Sequence, residues 1–84
     1  MKNYYITFRS ITYAQRGEQI LRRAGIDCIL RRTPKQMTKR GCGYSLKLRE
    51  KAFLPAMEHL QAAQLPFGQV YALDDRGILE EVAL

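Results

Sequence analysis

Few side chains in this sequence can do covalent chemistry. There are two thiols, Cys28 and Cys42, and one imidazole, His59. Cys42 is followed by Gly43, and Lys39 and Arg40 stand just before it. Cations beside a sulfur favour its thiolate, which is the nucleophilic form. Such a site would also hold the anionic end of a persulfide, or of its selenium analogue, carried on Cys42. Gly43 is expected to let a backbone N–H approach closely and to admit unusual dihedrals. Cys28 alternates with Ile26 and Leu30, so it reads as a small buried hydrophobe. His59 precedes the apolar Leu60 on a predicted helix and points outward, away from any Cys-His pairing. Two separated cysteines and one histidine match no metal-ligand spacing, so no metal site is expected. The sequence has no phosphate-cradling glycine loop and no dinucleotide fingerprint, so no cofactor is expected.

The elements that would position Cys42 follow from periodicity. Residues 4–10 alternate, with Tyr4, Ile6 and Phe8 on one face and Tyr5, Thr7 and Arg9 on the other, which predicts a strand. Thr12 with Gln15 three residues on reads as a capping box opening a helix. The apolar positions Ala14, Gly17, Ile20, Leu21 and Ala24 continue that helix, and Gly25 ends it. Residues 26–32 form a second predicted strand that Thr33-Pro34 stops, since proline cannot donate to a ladder. Residues 35–43 are polar, basic and glycine-bearing and read as a loop, Met37 included. Tyr44, Leu46 and Leu48 face inward on a third strand. Glu50 or Lys51 opens a second helix with Phe53, Met57, Leu60 and Ala63 apolar and Pro55 near its first turn. Residues 65–68 connect it to a fourth strand at 70–73. Asp74-Asp75-Arg76-Gly77 reads as a turn rather than a metal site. For residues 78–84 the pattern leaves a strand and a helix equally open.

The order β-α-β-β-α-β, with right-handed crossovers, predicts an α+β domain of the ferredoxin-like type: a four-stranded antiparallel sheet with two helices on one face. One domain spanning 1–84 is expected, its core at 4–73 and a short C-terminal tail at 74–84. In that plan the first and third strands are antiparallel neighbours. Ser10, at the end of the first, then lies beside Cys42-Gly43 at the start of the third. The first helix begins at the same edge, and its N-terminal N–H groups and partial positive charge favour an anion. Ser10 and Thr12 are the expected helpers on the helix side, Lys39 and Arg40 on the loop side.

Composition bounds the rest. Hydrophobic residues make up 46% of the chain and the net charge is +6. Residues 31–51 carry eight basic side chains against the single acid Glu50. A basic segment of this kind suits an anionic ligand or partner, or simply a solvated face. The N-terminus has no secretory pattern and no run is long enough to span a membrane, so a cytoplasmic chain with reduced thiols is expected and no membrane association.

A longer pattern overlies these readings. Ser10, Ala14, Leu21-Arg22-Arg23-Ala24-Gly25-Ile26, Arg32-Thr33-Pro34 and Cys42-Gly43-Tyr44-Ser45-Leu46 occur in an order and spacing that resemble the selenium/sulfur carrier protein-like family of small bacterial domains. The chain departs from the family pattern at Ile11, where threonine commonly follows the serine. The resemblance implies that Cys42 is the carrier thiol and Gly43 its partner, with Ser10 and Thr33-Pro34 as the surrounding loop ends. It implies a non-catalytic carrier rather than an enzyme. A sulfur or selenium donor such as a cysteine desulfurase would load it, and an acceptor protein would receive the atom.

Two other classes compete. The fold plan is shared with RNA-recognition motifs, and Arg40-Gly41-Cys42-Gly43-Tyr44 matches four places of their third-strand signature. Cys42 stands where a base-stacking aromatic is required, so nucleic acid is not the expected partner, although the basic segment 31–51 could hold phosphates by charge. The remaining alternative is a protein-interaction module, pairing as a homodimer through an open sheet face that carries Tyr5, Thr7 and Ile29.

Overall fold

The computed structural model describes residues 1–38 and 42–83. The elements run β1 (Lys2–Phe8), α1 (Ile11–Arg23), β2 (Ile29–Arg32), a 3-10 turn (Lys35–Met37), β3 (Tyr44–Arg49), α2 (Glu50–Ala62), β4 (Val70–Asp74) and β5 (Leu79–Glu81). The sheet is antiparallel throughout, in the order β2-β3-β1-β4-β5. The β-α-β-β-α-β order is as expected. The sheet has five strands rather than four, because residues 79–81 of the tail add β5. Asp74 makes that hairpin: its Oδ1 accepts from the N–H groups of Arg76 and Ile78, and Gly77 takes φ +82°. These backbone donors hold the Asp74 carboxyl below the usual carboxylate range.

The core lies between one sheet face and the helices. Ile6, Phe8, Leu46, Leu48 and Val70 point to that face, and Ala14, Leu21, Phe53, Met57 and Leu60 cover them. Tyr4 stacks on Phe53 with ring centroids 4.1 Å apart. Cys28 belongs to this core, as its alternation predicts, and burial pushes its thiol above the ordinary range. Gly25 ends α1 at φ +77°, a backbone region glycine adopts without strain.

Several local expectations need correction. Ser10, not Thr12, caps α1: its Oγ accepts from the N–H of Tyr13 at 3.3 Å, and its own backbone is extended. Thr12 lies inside the first turn and is exposed. A serine at the junction captures the orphan N–H first, so the helix begins one residue before the predicted box. Pro55 sits in the second turn of α2, at an exposed position where the lost backbone bond is solvated. Ala63 is the exposed C-cap of that helix rather than a core residue. β2 is shorter than the alternating run that predicted it, since residues 26–28 stay irregular before Ile29.

The largest departure concerns the second sheet face. Tyr5, Tyr71 and Met37 form a small buried cluster there, with Leu73 and Leu79 against it. Met37 is 2% exposed. The segment after β2 therefore crosses the sheet and plants a methionine on it. Tyr5 and Thr7 are buried as a result, and only Ile29 of the three residues assigned to an open pairing face is exposed. A pairing surface built on Tyr5 and Thr7 is not available.

Candidate functional site

The first and third strands meet as the topology requires. Their register runs from Asn3↔Arg49 to Phe8↔Tyr44, which brings Ser10 and Cys42 to the same end of the sheet. Thr33 extends the β2–β3 pairing there, its N–H donating to the Gly43 carbonyl at 3.0 Å. Ser10, Thr33, Gly43 and Cys42 thus share one end of the sheet, with Pro34 leading into the 3-10 turn. Lys39 and Arg40 lie outside the described residues.

The sulfur itself is not exposed in an open loop. Cys42 is 5% exposed. The space it occupies is made by Gly68, a residue of the connector between α2 and β4. A Cβ placed on Gly68 would overlap Cys42 Sγ and would fall 2.8 Å from Thr7 Oγ1. Real Cβ atoms do not tolerate such contacts, so glycine at 68 is what admits the sulfur. At Gly43, by contrast, a Cβ would meet nothing within 4 Å, and φ is not positive. The close packing that requires a glycine is at Gly68.

Backbone hydrogen bonding explains the geometry at Gly68. Gly68 N–H donates to the Thr7 carbonyl at 2.7 Å, while Thr7 N–H donates to the Gln69 carbonyl at 3.1 Å. Two successive residues oppose one, which is a β-bulge. Bulges re-aim side-chain directions locally, and here the Cα–Cβ direction of Gly68 points toward Thr7 Oγ1 and Cys42 Sγ. The Thr7 hydroxyl donates to the same Gln69 carbonyl at 2.6 Å. Its hydrogen is committed, and it faces its surroundings as an acceptor.

Two further hydroxyls stand on this face. Ser45 is directly opposite Thr7 in the β1–β3 register. It is fully buried, and its Oγ finds no hydrogen-bond partner among the described residues. Thr33 is 8% exposed, and its Oγ1 is likewise without a partner among those residues. An unsatisfied buried hydroxyl costs about 1–3 kcal/mol, so native proteins leave few of them. Alternation with Tyr44, Leu46 and Leu48 assigns Ser45 to the opposite face, and residues 65–68 read as a connector. The one available signal was an isolated glycine ahead of a predicted strand, which often marks close backbone approach. Ser45 gave no signal, because alternation reports which face a residue lies on and not whether that face is covered.

The remaining candidates separate cleanly. His59 is exposed on α2. Tyr44 faces the helical side, packs against the main core and carries Arg32 over its ring at 5.7 Å. The third strand therefore presents no aromatic for base stacking on the opposite face. Among the described residues no three potential metal ligands stand together, and no helix is long and apolar enough to cross a membrane. Outside the connector, Arg9, Tyr13, Pro66 and Phe67 line a shallow depression.

A family model described as "Putative Se/S carrier protein-like" matches residues 3–72. The chain belongs to that family. The match spans β1 through the first part of β4, so it contains Ser10, Thr33-Pro34, Cys42-Gly43 and Gly68 and stops short of β5. No curated protein and no solved structure matches the chain.

Proposed function

We propose that the protein carries a sulfur or selenium atom on Cys42 and passes it between partner proteins. The observation that supports this reading most is the enclosure of Cys42 Sγ. A glycine-made space, beside a bulge and facing the buried Thr7 hydroxyl, holds the thiol of a chain that belongs to the carrier-like family. Enclosure suits a carrier because a persulfide left in solvent is lost to any passing thiol. Cys28 has a different environment, packed in the main core with its thiol kept neutral by burial.

Loading is an exchange with no net redox change. A donor persulfide, such as that of a cysteine desulfurase, presents its terminal sulfur to the Cys42 thiolate. The new Cys42 S–S bond forms as the donor's S–S bond breaks, and the donor leaves as a thiolate that takes the Cys42 proton. Unloading repeats the step with an acceptor thiol as nucleophile. Ser10 at the α1 cap, Thr33 and Pro34 shape the end of the sheet where partners approach. Gly43 passes the chain from the thiol into β3. Lys39 and Arg40 supply positive charge to a donor or acceptor. A cytoplasmic location follows from the need to keep the thiol reduced. The chain acts as a non-catalytic carrier.

The test is whole-protein mass spectrometry after incubation with a persulfide donor. Wild type is expected to gain one chalcogen, and Cys42→Ala none. Cys28→Val is expected to gain it as wild type does. Equal uptake by Cys42→Ala removes the assignment.

A further inference from the structure

The two hydroxyls without partners suggest what happens to a chalcogen once loaded. Ser45 sits directly across from Thr7, whose oxygen lies with Cys42 Sγ in the space that Gly68 leaves. Arg31 is the β2 partner of Ser45, and Thr33 lies two residues further on, opposite Gly43. Strand alternation puts Thr7, Ser45 and Thr33 on one sheet face in adjacent rows. Thr7 and Ser45 are directly opposed, with Cβ atoms about 5 Å apart, and Thr33 is the diagonal neighbour of Ser45 at about 7–8 Å. Thr7 has spent its hydrogen on Gln69 and offers only lone pairs. Ser45 and Thr33, both more than nine-tenths buried, keep O–H donors that no described residue uses. A neutral thiol does not need two such donors. A terminal chalcogenide anion does, because only donors can replace the water it loses on burial. The second atom of the adduct reaches about 2 Å beyond Sγ, and Sγ lies at the Thr7 end of the face that carries Ser45 and Thr33.

We propose that Ser45 and Thr33, whose hydroxyls have no partner among the described residues, are the positioning donors for the terminal anion of the Cys42 adduct, a soft singly charged chalcogenide. The inference rests on the carrier reading. It adds to that reading the residues that retain the cargo. Loading follows the exchange already given: the Cys42 thiol takes the terminal atom of the donor, and the donor departs as its reduced thiol.

The experiment loads wild type, Ser45→Ala, Thr33→Val and Thr33→Ser in two arms. One uses glutathione persulfide and the other glutathione selenopersulfide. After the donor is removed, retained sulfur or selenium is followed by mass spectrometry in the presence of excess glutathione. Urea denaturation of the unloaded proteins is measured alongside. Loss of one charge-assisted hydrogen bond predicts retention shortened about tenfold in Ser45→Ala and in Thr33→Val. Thr33→Ser is expected to retain cargo as wild type does. Stability of the unloaded Ser45→Ala and Thr33→Val proteins should be equal to or above wild type, since each replaces an unsatisfied group. The arm in which retention falls identifies the chalcogen the donors serve. Unchanged retention in both substituted proteins, with lowered stability, would overturn the proposal and make the hydroxyls structural. Failure of wild type to load in either arm would overturn the carrier reading itself.

Discussion

At the scale of single residues, the site turns on one missing carbon. Gly68 leaves the volume that Cys42 Sγ fills, and Thr7 Oγ1 borders the same space. Gly68→Ala is therefore an overpacking substitution, expected to cost about 1–3 kcal/mol. Removing the sulfur relieves part of the conflict, because the Cys42 Cβ lies at an ordinary 3.5 Å from the added methyl. Contact with Thr7 Oγ1 at 2.8 Å remains. In urea denaturation Gly68→Ala should thus be less damaging in a Cys42→Ala background than in wild type. A coupling above about 0.5 kcal/mol in the double-mutant cycle is the expected result. Strict additivity would mean that the sulfur does not occupy this space. Gly43 provides the control, since a Cβ there meets nothing within 4 Å and Gly43→Ala should leave stability nearly unchanged.

Among the elements, the β4–β5 hairpin carries the clearest pH dependence. Asp74 accepts from the N–H groups of Ile78 and Arg76 at 2.9 Å each, and the Arg76 guanidinium adds an ion pair at 3.2 Å. These contacts favour the carboxylate over the acid and lower the folded-state pKa. A depressed carboxyl stabilises the fold above its unfolded pKa, and that contribution is lost as pH falls through the folded value. The hairpin should consequently loosen below the usual carboxylate range, while neutral pH leaves it intact. NMR titration should find the Asp74 carboxyl shifted downward. Amide exchange at Ile78 should accelerate in acid relative to amides of β1. Asp74→Ala should remove this acid sensitivity and expose β5 to faster exchange at neutral pH. The family match ends at residue 72, so β5 should be separable from loading, and Asp74→Ala should still take up a chalcogen.

For the molecule as a whole, the resting fold hides its thiol. Cys42 is 5% exposed, and Met37 holds the preceding segment against Tyr5 and Tyr71. The proposed exchange with a partner requires the sulfur to be uncovered. Local opening of lower cost than global unfolding is the expected route. Alkylation followed by peptide mapping tests this. Cys42 should react slowly in the native protein, yet faster than Cys28, and its rate should rise at urea concentrations below the unfolding transition. Met37→Ala should accelerate Cys42 more than Cys28. Parallel acceleration of both cysteines would show that only global unfolding exposes either. The net charge of +6 is expected to speed encounter with acidic partners and to make that encounter weaken with salt.

Much of this was legible in the residues. Alternation in β1 and β3, the helical spacing of Ala14, Gly17 and Leu21, and Gly25 in the left-handed region are local properties. A chain with those periods has little choice of element. Antiparallel pairing of β1 with β3 follows from the element order, and with it the arrival of Ser10 and Cys42 at one end of the sheet. Two helices with one apolar face each could bury it only against that sheet. The choice of Ser10 over Thr12 as cap was decided by which hydroxyl met the free N–H, a shift of two residues that propensity does not resolve. Enclosure of Cys42 was decided entirely by tertiary structure. It involves a bulge opposite Thr7 and a glycine at 68, brought beside Cys42 from distant parts of the chain. Periodicity reports which face of an element is apolar. It carries no information about which segment later folds across the other face, because that depends on long-range packing and not on any local spacing.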